Sequence, residues 1–320
     1  MRKILDRFLS RRPPLGFLSR RSPLGYVCAI GGAVALCVVS IAVFVGIFLP
    51  PANLGEFPPL EPRLTVGQRL IIDSPDHLER AFDHADFHLP SIRSGQAEVP
   101  HLLLKNWPRG FDSMKRTRRK KALFIRTLLP LILHVNRTIA AQRKTLREIL
   151  RRKEQGFNLT RRERAWMERL AKLYRTEPEN IDALLRRVAP VPPSLAIAQA
   201  ATETGWGTSR FAREANALFG QWTFDKDKGL KPKDADPGTR HAIKRYDRLL
   251  GSAWDYARNL NTHRAYVGLR QSRAKGVTEG KALAETLGKY SEKGVEYVKL
   301  LRQVIDQNGL APFDGAKLRL

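Results

Sequence analysis

Glu203 stands near the end of an alanine-rich run, Ser194-Leu-Ala-Ile-Ala-Gln-Ala-Ala-Thr-Glu-Thr-Gly-Trp-Gly207. Pro193 suits the first turn of a helix there, and Gly205 suits its end. The single carboxylate is followed by two glycines around Trp206. Glycine lets a ligand approach the backbone closely. A large ring beside the acid supplies a stacking face and a poorly solvated wall, which raises a carboxyl pKa and keeps the acid protonated near neutrality. Such an acid suits saccharide cleavage, in which a protonated carboxyl hands its proton to the leaving oxygen. The same Glu203-Thr204-Gly205 also reads as an ordinary C-cap with a left-handed glycine. One Glu by itself leaves those two readings level.

The run continues through Ser209-Arg-Phe-Ala-Arg-Glu-Ala-Asn-Ala-Leu-Phe-Gly220. Taken together, "AQAATETGWGTSRFAREANALFGQW" resembles "AQAALESGWGTSRFAREGNNLFGIW". The latter typifies the glucosaminidase domain of bacterial cell-wall hydrolases, glycoside hydrolase family 73, which includes the flagellar muramidase domain. The flanking "VPPSLAIAQA" and the later "NLNTHRAY" are most similar to the Bax branch of that family. The resemblance implies a mainly α protein with a lysozyme-like helical catalytic domain and a small β-hairpin lobe. It implies hydrolysis of the peptidoglycan glycan strand at the N-acetylglucosaminyl bond, with Glu203 as general acid and no metal or organic cofactor. Two departures stand out. The family's "EGNNLFG" becomes Glu214-Ala-Asn-Ala-Leu-Phe-Gly220, and its "LESG" becomes Thr202-Glu-Thr-Gly205.

Glycosidases generally use a second carboxylate as base or nucleophile, although a substrate's own acetamido group can serve instead. In the family that second acid sits on the hairpin lobe. Asp225, Asp227, Asp234 and Asp236 are available in this chain, and Asp236, just before the expected strand, is the candidate. The run Tyr290-Ser-Glu-Lys-Gly-Val-Glu-Tyr297 is similar to the family's "YATDPxYA", which makes Tyr290 the catalytic tyrosine and Tyr297 a packing neighbour. Trp206 and Trp222 are placed to line a sugar groove, Phe219 to enter the core. Asn216, Asn261 and His263 are the candidate polar contacts to the glycan. A lytic transglycosylase, or a wall-binding protein that kept the groove without turnover, are the rival functions. His77, His84 and His88 recur at seven and four residues, a spacing that an exposed helix face explains as well as a metal site does.

The elements that must carry these residues are mostly helical. Apolar positions from Leu123 to Ile139 form one broad face of a helix over Lys115 to Lys153, interrupted by Arg126 and His134 and kinked at Pro130. That helix should pack on the catalytic domain. Thr160-Arg-Arg-Glu163 is a capping box. Further helices are expected at Ile181 to Val188, Ser209 to Leu218, Ser252 to Leu260, Val277 to Leu287 and Gly294 to Gln307, with a hairpin between Gln221 and Tyr246.

Tyr26 to Leu49 contains no charged residue, long enough as a helix to cross a bilayer core of about 30 Å. Seven Lys or Arg and one Asp precede it, which places the N-terminus in the cytoplasm and the rest in the periplasm. An uncleaved anchor in the bacterial inner membrane is favoured over a signal peptide, because Leu49-Pro50-Pro51-Ala52 is a poor cleavage site. Both cysteines, Cys28 and Cys37, lie in this segment, so the exterior part must be held together by packing.

Of the net charge of +26, the seven-to-one arm accounts for six, leaving +20 outside. That field attracts polyanions. Peptidoglycan carboxylates and anionic head groups are the local partners; nucleic acid is not expected on that side. The expected organisation is a basic arm (1–25), a membrane helix (26–49), a Pro-rich linker (50–62), an irregular then helical extension (63–189), a glucosaminidase domain (190–310) and a tail (311–320).

Overall fold

A computed structural model describes residues 55–63, 69–115, 117–231 and 241–319. All of them fall within one unit, Leu54–Leu320. The arm, the apolar segment 26–49, and Asp234 and Asp236 lie outside the described residues.

Eleven helices make up most of what is described: α1 Pro75–His84, α2 Leu89–Arg93, α3 Thr117–Glu154, α4 Arg161–Leu173, α5 Ile181–Arg187, α6 Pro193–Thr204, α7 Arg210–Ala215, α8 Leu249–Thr262, α9 Val267–Ala274, α10 Gly280–Ala284 and α11 Val295–Gln307. Five strands accompany them. β1 Arg69–Leu70 pairs in parallel with β2 Leu103–Leu104. β3 Trp222–Thr223, β4 Gly229–Leu230 and β5 Ala242–Lys244 form an antiparallel sheet in the order β3-β5-β4. The expected hairpin is therefore a three-stranded lobe with β5 in the middle. Trp222 lies opposite Ile243, and Leu230 lies opposite Ile243 from the other side.

α6 is the hub. From Pro193 to Ala201 every side chain is buried, and only Thr202 and Glu203 reach partial exposure. A helix buried all round cannot be amphipathic, and its alanines let neighbours come close. It packs against α3, α10, α11 and the turn Ala311–Gly315. At Gly280 in α10 an added Cβ would lie 2.1 Å from the Ser194 hydroxyl, so that contact needs glycine. Proline supplies no capping side chain at the start of α6. Asp314 supplies it from the far end of the chain, accepting from Ser194 N and Ser194 Oγ, each at 2.8 Å, and from Gly280 N at 2.8 Å. Phe313 is fully buried, and Val99 exchanges backbone hydrogen bonds of 2.8 Å with Lys317 and Arg319. Within the segment expected as a tail, Phe313 thus enters the core, and Ala316 and Leu318 pack against it.

α3 is the second hub, packed on α6 and α8. It runs through Pro130 as one 38-residue helix. By length and composition it could cross a membrane, but 83% of its apolar window is buried inside the protein. Its polar interruptions have partners there. Arg126 binds Asp83 of α1 at 2.6 Å and covers the Phe82 ring, and His134 bonds to His101 at 2.9 Å. The capping box of α4 is present, with Glu163 also held by Arg152.

The linker is shorter than its composition suggests. Phe57 stacks on Trp166 at 5.5 Å, and Trp166 Nε1 donates to the Pro58 carbonyl at 3.3 Å. Gln142 Nε2 donates to the Pro59 and Leu60 carbonyls at 2.8 and 3.0 Å, with Tyr174 Oη fixing the same amide at 2.8 Å. His134 Nε2 donates to the Arg63 carbonyl at 3.1 Å. Residues 57–63 are a strap lying on α3 and α4. Proline-rich chain suits this, since it has few amides that need partners of their own.

Candidate active site

The last turn of α6 brings Glu203 to the edge of the core, and the chain then makes an unusual exit. Gly205, Trp206 and Gly207 all adopt left-handed conformations, with φ of 57°, 59° and 81°. For a tryptophan that backbone costs on the order of 1–3 kcal/mol and persists only where the surroundings enforce it. Trp107 packs against the same turn: an added Cβ on Gly207 would lie 2.0 Å from its ring. Trp206 is carried onto α3, where Phe124 meets it edge-on at 5.4 Å and Lys121 sits 4.6 Å above its ring. Gly207 therefore admits Trp107, not a ligand, and the Trp206 ring is committed to α3 instead of forming a wall for Glu203.

Tyrosines form that wall. Tyr297 Oη donates to Glu203 Oε1 at 2.9 Å. Tyr290 stacks parallel to Tyr297 at 5.6 Å, and Tyr266 leans on Tyr290 at 5.7 Å. Tyr256 stacks on Phe219 at 3.9 Å. Burial raises the Glu203 carboxyl above its ordinary range, against the opposing pull of the Tyr297 hydroxyl and the Lys293 charge. Burial likewise holds the hydroxyls of Tyr256, Tyr266, Tyr290 and Tyr297 above theirs, so these phenols are neutral donors.

On the other side of the carboxylate lies Gly220, at φ 62°, where an added Cβ would sit 3.2 Å from Glu203 Oε2. Glycine leaves room for this oxygen, which accepts no hydrogen bond among the described residues. Tyr290 Oη donates to the Phe219 carbonyl at 2.9 Å and holds this strand entry in place. Two residues on, Trp222 in β3 is 61% exposed and stacks on His241 at 4.2 Å, with Phe224 77% exposed beyond it. The sheet lobe thus presents an open aromatic face beyond Gly220.

Of the two late tyrosines, Tyr297 is the one hydrogen-bonded to the carboxylate, and Tyr290, the expected catalytic tyrosine, stacks on Tyr297. Two amides also differ from expectation. Asn261 is fully buried, donating to the Ala189 carbonyl at 3.0 Å and accepting from Arg273 at 2.5 Å, so it braces the turn before α6 and cannot reach a glycan. Asn216 ends α7 in a left-handed conformation, accepts from Trp107 N at 3.1 Å and donates to the Tyr246 carbonyl at 2.9 Å. Its amide ties three segments together. His263 is exposed and caps the following turn through Ala265 N at 3.2 Å. Asp225 caps its own turn and pairs with Lys228 at 2.8 Å. Among the described residues, no three His, Cys, Asp or Glu side chains converge as a metal site. Gln199 and Tyr256, in contact with the site from within, were not singled out by sequence, since a lone Gln in an alanine helix carries no motif.

Residues 180–310 match the Glucosaminidase family, described as mannosyl-glycoprotein endo-beta-N-acetylglucosaminidase. Protein bax of Escherichia coli (strain K12) is 34% identical over 217 residues, covering 64% of this chain and 73% of that protein. The solved catalytic domain of the autolysin Auto from Listeria monocytogenes aligns with 49% of this chain and 90% of its own, at 18% identity and a TM-score of 0.33. The buried acid at the end of a core helix and the sheet lobe beside it accompany a sequence match that extends well beyond the motif, and the chain belongs to the glucosaminidase family, alongside protein bax.

Proposed function

We propose that the chain is a single-pass inner-membrane glycosidase, its N-terminus cytoplasmic and its catalytic domain periplasmic, that hydrolyses the N-acetylglucosaminyl bond of peptidoglycan. The observation that carries this reading is the Glu203 carboxyl, raised by burial, with one oxygen bonded to Tyr297 and the other beside Gly220. Glu203 Oε2 protonates the glycosidic oxygen as the bond to the anomeric carbon breaks. The oxocarbenium centre is met by the substrate's acetamido oxygen or by Asp236, and water completes hydrolysis. The Lys293 charge opposes burial and draws the Glu203 pKa back down. Trp222 offers a stacking face to a sugar ring.

The test is digestion of purified peptidoglycan by the full-length protein in detergent, followed by mass spectrometry of borohydride-reduced products. Reduced N-acetylglucosaminitol ends, absent with Glu203→Gln, are expected. Anhydro-muramyl ends would instead make the protein a lytic transglycosylase. Sedimentation with the wall and no release would make it a binding protein.

A further inference from the structure

Behind Tyr297 a chain of buried polar groups leads back into the core. Gln199 lies one helical turn before Glu203 on α6 and is fully buried among alanine, leucine and isoleucine side chains. A buried amide left unpaired would destabilise the fold. Both ends of this one are engaged. Tyr256 Oη donates to Gln199 Oε1 at 2.7 Å, and Gln199 Nε2 donates to Tyr297 Oη at 3.0 Å. An amide nitrogen can only donate, and a phenol has a single proton. The Tyr297 oxygen is thereby occupied as an acceptor, and its proton is directed to Glu203 Oε1 at 2.9 Å.

We propose that Gln199, its amide fixed by Tyr256, is a positioning residue that locks Tyr297 as a donor and so assigns the acid's proton to Glu203 Oε2, the oxygen beside Gly220. This rests on the glycosidase reading of Glu203. A carboxyl whose Oε1 accepts a hydrogen bond holds its own proton by preference on Oε2, because the carbonyl oxygen is the better acceptor. Without Gln199, the Tyr297 hydroxyl is free to turn and accept a proton from Glu203 Oε1. The acid would then point its proton into the core instead of at the glycosidic oxygen.

The direction of the accompanying change in acidity follows. Tyr297 acting as donor favours the carboxylate; Tyr297 acting as acceptor favours the protonated acid. Loss of the lock therefore raises the pKa of Glu203. The other titratable groups that face it among the described residues are Lys293, in the turn before α11, and Tyr256, Tyr266 and Tyr290. The phenols stay neutral at working pH, and none of these groups changes charge when Gln199 is replaced.

The experiment measures kcat and KM against pH for the full-length protein on peptide-free glycan strands. It compares the parent with Gln199→Leu, Tyr256→Phe, Tyr297→Phe and the double variant Gln199→Leu with Tyr297→Phe, each checked by thermal melting. Gln199→Leu should lower kcat about tenfold at unchanged KM. It should also move the alkaline limb of the profile up by about half a unit. Tyr256→Phe should move the limb the same way by less, because it releases the amide but keeps the ring on Phe219. Adding Gln199→Leu to Tyr297→Phe should change nothing further. An alkaline limb unmoved in Gln199→Leu and Tyr256→Phe, or losses that multiply in the double variant, would overturn the relay while leaving the glycosidase reading intact. Should Gln199→Leu melt below the assay temperature, Tyr256→Phe decides alone. A parent that releases no product would sink the glycosidase reading and the relay with it.

Discussion

Burial and hydrogen bonding pull on the Glu203 proton in opposite directions, and burial wins. That balance is also a statement about stability. Between the ordinary carboxyl pKa and the raised one, the folded chain binds more protons at this site than the unfolded chain does. Stability from this group therefore falls as pH rises through that window and stays lowered above it. Glu203→Gln, which keeps the shape without the charge, should melt higher than the parent at neutral pH. The gain should vanish in acid, below the ordinary carboxyl range; calorimetry across pH reads it directly. An equal melting temperature at all pH values would mean that Glu203 ionises at no expense to the fold. The place of Glu203 at a helix end and of Gly205 as its left-handed cap was legible in the chain, which carries both in one recognisable run. Tyr297 was not, because the choice between it and Tyr290 depends on where α11 begins. Gly294, with φ of 53°, starts that helix so that Tyr297 turns toward the acid. Asn216 and Asn261 show the same limit: an amide that braces a turn and one that meets a sugar look alike until its partners are known.

At the scale of elements, the acid is only as well placed as α6. Its N-terminus depends on Asp314, more than a hundred residues later, which no local pattern could reveal. Asp314→Ala removes a carboxylate from three donors and should destabilise the protein by about 2–3 kcal/mol. For a domain of this size, that is a melting temperature lower by roughly 4–12 °C. Asp314→Asn, which keeps one acceptor, should recover part of it. The capping box of α4, the start of α6 at Pro193 and the long α3 could be read from local chemistry because each depends on residues within a turn or two. α1 went unread among the prolines and glycines of 63–110, though Ser74 followed by Pro75 and Asp76 is a helix start by the same rules.

Among the described residues, elements outside the expected glucosaminidase domain pack on it. α3 supplies the floor under α6 and α8, Trp107 shapes the turn after the acid, and residues 311–319 close the fold. The match to protein bax covers 64% of the chain, more than residues 180–310 contain. One buried group links this architecture to acidity. His134 donates to the Arg63 carbonyl through Nε2, and burial pushes its pKa from 6.5 down to about 4. Below pH 6.5 the unfolded chain takes up a proton at this site that the folded chain refuses until about pH 4. Stability is thus lost as pH falls across that window. Denaturant midpoints measured from neutral pH downward should fall there, and fall less steeply in His134→Gln.

The strap has a consequence for how the fold bears load. Phe57 on Trp166, and the Pro59 and Leu60 carbonyls on Gln142, fasten residues 57–60 to α3 and α4. A pull on the chain from its N-terminal side therefore loads those two helices first, and α6, which carries Glu203, feels it mainly through α3.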